Sequence, residues 1–331
     1  MRYSGKNPRR FEDKYKEHNP SRHSETVAKV LASGKTPAGT HRPIMVAEIL
    51  SALGPKPGER AVDATLGFGG HAQELLARLQ PTGRLLGLDA DPIELPKTEA
   101  RLHGLGYGPE VFATRRTNFA GLSQALWEAE MEGADIVLAD LGVSSMQLDN
   151  PARGFSLKHD GPLDMRMNPQ RGQPASVFVE RITAEKLREI LEENADEPHP
   201  ATLAAALAGK KFATTVALAR AVRSASPHLK DELAGDSVRR VFQAVRIAVN
   251  DEFSALESFL RQLPDCLNPG GRAAILTFHS GEDRRVKKSF AAGLQAGNYA
   301  EISDVIRPGA EERRANPRST PAKLRWARKA L

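Results

Sequence analysis

Between Arg60 and Pro92 the apolar positions switch from one period to another and back. Ala61 and Val62 form a short apolar run that stops on Asp63. After the turn Gly67-Phe68-Gly69-Gly70, apolar residues recur at Ala72, Leu75, Leu76 and Leu79, the i, i+3, i+4, i+7 stripe of a one-sided helix. Pro81 ends that helix, and a second apolar run, Leu85-Leu86-Gly87-Leu88, stops on Asp89. The pattern predicts strand, glycine turn, helix and strand, a βαβ unit with an acid at the carboxyl end of each strand.

The same alternation extends in both directions. Val46, Ile49, Leu50 and Leu53 predict a helix closed by Gly54 and Pro55. Downstream, a helix is expected over Ile93 to Leu102, a short third strand over Val111 to Thr114, a helix capped by Asn118 and running to Met131, and a fourth strand, Ala134 to Ala139, ending on Asp140. Strands and helices alternating in this way predict an α/β fold with a doubly wound parallel sheet, whose ligands lie at the carboxyl ends of the strands. The period then disappears from Met146 to Pro174, where scattered Phe155, Leu157, Leu163, Met165 and Met167 predict an ordered, packed loop. Helical periods return from Thr183 to Pro227, so a helical insertion is placed at 142–240, between two parts of a sheet domain at 41–141 and 241–331.

One long helix is expected from Asp236, with Val238, Phe242, Val245, Val249, Leu256, Leu260 and Leu263 on its apolar face. Beside that face, Arg239, Gln243, Arg246 and Asn250 form a polar stripe without an acid, which suits phosphate and base contacts as well as plain solvation. Gly270-Gly271 turns into a fifth strand, Ala273 to Phe278, followed by His279-Ser280-Gly281-Glu282-Asp283, where Ser280 and Asp283 have capping-box spacing. Strands near Ala300 to Ile306 and Lys323 to Ala327 would complete a seven-stranded sheet.

Composition narrows the partners. The chain has 331 residues, 40% of them hydrophobic, enough for a substantial core, and no apolar run approaches the roughly 18 residues of a membrane span. The N-terminus is polar from Arg2 with no apolar signal core, so the cytoplasm is the expected location, with no membrane partner. A single cysteine, Cys266, excludes an internal disulfide framework and a multi-thiolate zinc site, and no metal is expected. Residues 1–40 carry nine Lys/Arg against four Asp/Glu and lack apolar periodicity, which reads as a basic mobile arm. Arg313 to Leu331 carries seven basic residues and no acid. Two basic ends on a nearly neutral body point to nucleic acid, with a solubilising tail as the simpler alternative. Nothing in the pattern fixes an oligomeric state.

The glycine turn has the spacing G-x-G-G and not G-x-G-x-x-G, and Asp63 precedes it where a dinucleotide would bring a negative pyrophosphate. An acid there suits a cationic cofactor, which places S-adenosylmethionine (AdoMet) above NAD. Asp89 is placed to accept from a ribose diol, and Phe119 either lies against an adenine or is core. The competing readings are a tight strand-to-helix turn without a ligand, an NAD-dependent oxidoreductase, and a catalytically silent RNA-binding assembly factor on the same fold.

The blocks DATLGFGGHA, LLGLDADP, ADLGVSSMQLDNPARGFSLKHDGPLDMRMNPQRGQPA, FQAVRIAVNDE, GGRAAILTFHSGEDRRVKK and NPRSTPAKLR occur in this order. Together they resemble the MraW (RsmH) family of cytosine-N4 methyltransferases of small-subunit ribosomal RNA, over roughly residues 41–331. The resemblance implies a class I AdoMet-dependent methyltransferase fold, Rossmann-like, with a helical domain inserted after the fourth strand. It implies methyl transfer to the exocyclic amine of a cytidine in 16S-type rRNA, on an assembled or nearly assembled small subunit, or on a different rRNA cytidine. Its AdoMet contacts fall on Gly69, Gly70, His71, Asp89, Phe119, Asp140 and Gln147, with Gly67 in the same turn. The chain departs from the family at Gly281, where a leucine is usual, and in the insertion, which reads ADEPHPATLAAALA in place of a G-E-E-R-F-A-R-R-I-A run.

The nitrogen attacked in such a transfer has its lone pair delocalised into the ring, so groups that accept its hydrogens favour the transition state. Asp140 or the carbonyls near Leu141 are the first candidates, followed by Ser144, Asn250 and His279. Expected RNA contacts are Arg153, Arg166, Arg239, Arg246, Arg318 and Lys323. Methylation at cytosine C5 would need a thiol nucleophile, and Cys266, in LPDCLNP, falls at the amino end of the fifth strand, away from the cofactor.

Overall fold

A computed structural model describes residues 43–157, 159–226 and 230–331; the expected basic arm, residues 1–40, lies outside them. The apolar periods become α1 (Val46–Leu53), β1 (Arg60–Asp63), α2 (Gly70–Leu79) and β2 (Arg84–Leu88). Next come α3 (Leu95–Gly104), β3 (Phe112–Arg115), α4 (Leu122–Glu128) and β4 (Ala134–Asp140). The helix expected from Asn118 to Met131 is shorter. Asn118 caps a single 3₁₀ turn, Phe119–Gly121, its side chain accepting from Ala120 N at 3.1 Å, before α4 begins.

Beyond β4 the chain forms α5 (Ser145–Asp149), a long loop, and then α6 (Ala175–Arg181), α7 (Ala184–Ala195), α8 (Pro200–Leu207), α9 (Thr215–Ala225) and α10 (Asp231–Asn250). The remainder is α11 (Glu252–Cys266), β5 (Leu267–Thr277), α12 (Ser280–Gln295), β6 (Tyr299–Ile302), α13 (Ala310–Ala315) and β7 (Lys323–Lys329). The strands form one sheet of seven in the order β3-β2-β1-β4-β5-β7-β6, with β1 to β5 parallel and β7 antiparallel to both β5 and β6. The chain leaves β1 toward β2 on one side and returns to β4 on the other. That reversal opens a crevice outside the carboxyl ends of β1 and β4, where doubly wound sheets bind their ligands.

Both faces of the sheet are covered, as the near-continuous apolar strands require. On one face α4, α11 and α12 contribute Leu122, Leu126, Phe259, Leu263, Val286 and Phe290 to a buried cluster. On the other, α1, α2 and α3 contribute Ile49, Leu53, Leu75, Leu79 and Leu102. A third cluster, away from the sheet, joins the loop residues Phe155, Leu163 and Met165 to α7, α8, α9 and α10.

The long helix expected from Asp236 to Leu263 is two helices. Asp251 adopts φ 50°, ψ 41°, in the left-handed region that Asp tolerates better than most residues, and the axis breaks there. The break has a packing cause: Val238, Val241, Phe242 and Val245 of α10 face the third cluster, whereas Leu256, Phe259, Leu260 and Leu263 of α11 face the sheet. One straight helix could not present both stripes to both cores.

Candidate active site

The crevice is a cavity of about 730 Å³ whose lining comes from the glycine turn, the ends of β2 and β4, the loop after β4, α10, the start of α11 and the start of α12. Its charges are divided. Asp89, Asp91, Glu94 and Asp140 come from the strand-end side, while Arg239, Arg246 and Arg318 come from α10 and the segment before β7, together with Glu252 and Glu282 from the starts of α11 and α12. Among the described residues no group of three or more His, Cys, Asp or Glu side chains could hold a metal, and no helix is long and apolar enough to cross a membrane.

The glycine turn is held from below. Gly67 N donates to Asp89 Oδ2 at 2.8 Å, Thr98 Oγ1 donates to the Gly67 carbonyl at 2.6 Å, and Arg101 donates to the Phe68 carbonyl. Gly69 has φ 74°, and a Cβ there would lie 2.9 Å from Thr98 Cγ2, so both conformation and space demand glycine. Asp89 also accepts from Asp91 N at 2.8 Å, so this acid fixes the turn as well as facing the cavity. Burial pushes its pKa up to about 6, against the bonds from Asp91 and Gly67. Asp63, expected beside the cofactor, lies buried beneath the turn, accepting from Thr65 N at 3.1 Å, and is not among the lining residues. Its pKa is also raised to about 6, chiefly by burial.

Asp140 ends β4 at the centre of the arrangement. Its Oδ1 is buried with no hydrogen-bond partner, and its Oδ2 lies 3.5 Å from His71 Nδ1. Burial, with the charge of Glu282 adding to it, pushes the Asp140 pKa up to about 7. His71 is buried at the start of α2, its Nε2 is 2.9 Å from the Ile44 carbonyl, and burial lowers its pKa. Since a carbonyl only accepts, Nε2 carries the proton, and neutral His71 turns a lone pair toward Asp140. Phe119 lines the cavity and packs edge-on against Phe259 at 5.6 Å, so it serves cavity and core together.

The remaining candidates divide. Ser144 and Gln147 line the cavity and form a capping box for α5: Gln147 N donates to Ser144 Oγ at 3.3 Å and Ser144 N to Gln147 Oε1 at 3.1 Å. Gln147 Nε2 then reaches Asp91 Oδ2 at 2.9 Å. Asn250 also lines the cavity, yet its amide is spent on the loop, accepting from Met167 N at 2.7 Å and donating to the Met165 carbonyl at 2.7 Å. It is therefore not a free acceptor for a substrate. His279 is absent from the lining, because it packs beside Phe253 with its Nε2 3.2 Å from Glu282 Oε1. Glu282 takes its place at the cavity wall. The expected Ser280–Asp283 capping box does not form: Ser280 Oγ donates to Asp196 at 2.6 Å, and Asp283 binds Lys323 and Arg325.

Several of the cations expected on RNA are paired within the protein, and one is buried. Arg153 is buried and donates to Asp91 Oδ2 at 2.7 Å and to the Arg166 and Met167 carbonyls at 3.0 and 2.9 Å, clamping the loop to the end of β2. Arg246 makes a two-pronged pair with Glu252 at 2.8 and 2.9 Å, Arg166 pairs with Asp164 at 2.7 Å, and Lys323 with Asp283 at 3.2 Å. Arg239 and Arg318 are different. Their side chains are 66% and 48% exposed, and both line the cavity, although Arg239 pairs with Asp236 and Arg318 with Asp149. Such exposed pairs are weak and exchange readily for phosphate.

Asp91, 1% exposed, and Glu282, 4% exposed, were not singled out by the sequence. Asp91 follows Asp89 by two residues at a strand end, and Ser144 precedes Gln147 by three; both spacings were readable signals. Cys266 closes α11 at the amino end of β5, and burial pushes its thiol up to about 11, so it is neither placed nor activated for attack.

Gly281 is matched by Phe253. A Cβ at 281 would lie 2.6 Å from Phe253 Cζ, and the ring is covered by Arg285, whose guanidinium is 3.6 Å from its centroid. We expect Gly281→Leu to destabilise the protein by about 1 to 3 kcal/mol through overpacking, and the further change Phe253→Leu to recover most of it. Denaturant unfolding of the single and double variants checks this; equal losses in both would mean that the ring and the glycine are not a matched pair.

Comparison with known proteins agrees with this geometry. A family model described as the MraW methylase family matches residues 38–330. The chain is 47% identical over 339 residues to ribosomal RNA small subunit methyltransferase H 1 of Lachnoclostridium phytofermentans, covering 99% of this chain and 92% of that protein. It is 48% identical over 341 residues to ribosomal RNA small subunit methyltransferase H 2 of Alkaliphilus metalliredigens, covering 100% and 97%. A more distant relative, ribosomal RNA small subunit methyltransferase H of Halorhodospira halophila, is 40% identical over 321 residues, covering 90% and 96%.

Proposed function

The chain belongs to the MraW methylase family, an AdoMet-dependent methyltransferase by fold and lineage, and from that premise we propose that it methylates the exocyclic N4 amine of a cytidine in small-subunit ribosomal RNA. The observation that carries this reading is Asp140, whose buried Oδ1 lacks a partner in a cavity whose rim also carries arginines.

The acid side fits a cationic cofactor. Asp89 and Asp140 are both raised in pKa by burial, so a positive centre between them supplies the compensation that water cannot. The cofactor would be held by the backbone of Gly67, Gly69 and Gly70, by Asp89 through a ribose diol, and by His71, Phe119, Asp140 and Gln147. Bound AdoMet supplies a methyl group activated by a sulfonium.

The protein supplies position and a proton acceptor. Arg239 and Arg318 at the rim meet phosphates flanking the target nucleotide, while Arg153 and Asn250 keep the 165–167 loop in place as the wall that the base passes. Asp140 accepts a hydrogen of the amine, which favours the pyramidal nitrogen of the transition state. The helices of the third cluster and the basic segment at 313–329 form the face that meets RNA, on an assembled or nearly assembled small subunit. Nucleoside analysis of small-subunit rRNA from cells with and without the gene tests this: one methylated cytidine should vanish with the gene, and an unchanged profile would refute the proposal.

A further inference from the structure

Glu282 lies in the first turn of α12 and lines the same cavity as Asp140. Its surroundings hold it in place and charged. Oε2 accepts from Phe278 N at 2.8 Å, and Oε1 faces His279 Nε2 at 3.2 Å. Arg246 bears on it from α10 while held by both oxygens of Glu252. Burial alone would raise the Glu282 pKa, but His279, Arg246 and the Phe278 N–H together bring it below the usual range.

Asp140 is in the opposite state. The groups that face it are His71 from α2, turned toward it with a lone pair, and Glu282 from α12, whose charge opposes its ionisation; Asp63 ends the neighbouring strand β1, and Asp89 follows β2 one strand further on. A site whose environments drive two carboxylates apart in this manner has assigned them different work. One remains an ionised acceptor, and the other can take up a proton near neutral pH. The target amine offers two hydrogens, and two carboxylates lining the one cavity match them.

We propose that Glu282 is a further catalytic residue, whose carboxylate accepts one hydrogen of the target amine and turns the nitrogen lone pair toward the methyl group, leaving the second hydrogen to pass as a proton to Asp140. This inference rests on the amine-methylation reading above. In the step, the N–CH₃ bond forms as the S–CH₃ bond breaks, the electron pair of the broken bond stays on sulfur, and the nitrogen loses its proton to Asp140 Oδ1. One positive and one negative charge are consumed together, so the balance needs no further reactant.

The test compares wild type, Glu282→Gln and Glu282→Asp, using small-subunit particles and AdoMet. In Glu282→Gln, kcat should fall by about 10-fold or more with little change in KM for the particle. The acid limb of kcat/KM should also move to lower pH, because Asp140 loses the negative charge that opposed its ionisation. Glu282→Asp keeps the charge and shortens the reach, so its rate should fall while the limb stays near the wild-type position; it also carries the test if the Gln variant does not fold. A merely structural role would lower the rate without moving the limb. A Glu282→Gln enzyme with wild-type kcat, or with an unmoved acid limb, overturns this inference while wild type still yields N4-methylcytidine. A wild-type enzyme that yields no methylated cytidine overturns the underlying reading instead, and this inference with it.

Discussion

Asp140→Ala should abolish methyl transfer while leaving the fold intact. Loss of a positioned proton acceptor costs about 10²- to 10⁴-fold in rate, and the other candidates are engaged: Asn250 is committed to the loop, Ser144 to its cap, His279 lies off the cavity, and Glu282 is held by Phe278 N and assigned to the amine's other hydrogen. Stability should not suffer. The Asp140 pKa is raised above its ordinary value, so ionising it in the folded state is unfavourable, with the penalty building from about pH 4 and complete above about pH 7. Removing the group therefore relieves the folded protein at pH 8, where thermal melting should show a variant at least as stable as wild type. A variant retaining more than about a tenth of the wild-type rate would deny Asp140 the acceptor role.

AdoMet affinity should fall by about 10- to 100-fold in Asp89→Ala, since an unpaired ribose diol costs roughly 1 to 3 kcal/mol. The structure adds a second reason, because Asp89 also fixes Gly67 N and Asp91 N, so the glycine turn loses a tether along with the ligand. The same carboxylate gives a pH signature. With its pKa about 6 in the free protein, Asp89 must ionise to accept from both hydroxyls of the diol, so binding near pH 6 should release protons, and affinity should drop as pH falls through that value. Calorimetry in buffers of different ionisation enthalpy reads both effects. Unchanged affinity in Asp89→Ala would remove this residue from the cofactor site.

The strand-end acids and the glycine turn were legible because they depend on local period: an apolar run, an acid, a glycine-rich turn and a one-sided helix follow one another within 33 residues. The break at Asp251 was not, since α10 and α11 share one continuous stripe and only the presence of two separate cores divides it. Arginine roles are hidden in the sequence for a related reason. Arg153 and Arg246 look like surface cations in sequence, but their partners Asp91 and Glu252 meet them only after folding. Glu282 and His279 both follow the fifth strand and look alike as candidates in sequence; the backbone at the start of α12 decides which one reaches the cavity. Asn250 shows the converse: it lines the cavity, but its hydrogen-bonding capacity is already used by the loop and its own helix.

The central claim is that the nitrogen, and not the ring carbon, receives the methyl group. Cys266, the only thiol in the chain, sits at the amino end of β5 with its pKa pushed up to about 11, whereas Asp140 stands at the carboxyl end of β4 in the cavity. The decisive measurement is mass spectrometry of nucleosides from small-subunit particles treated with AdoMet and either wild-type protein or Cys266→Ser. The expected result is N4-methylcytidine from both; 5-methylcytidine from wild type, or loss of product in a folded Cys266→Ser variant, would contradict the account.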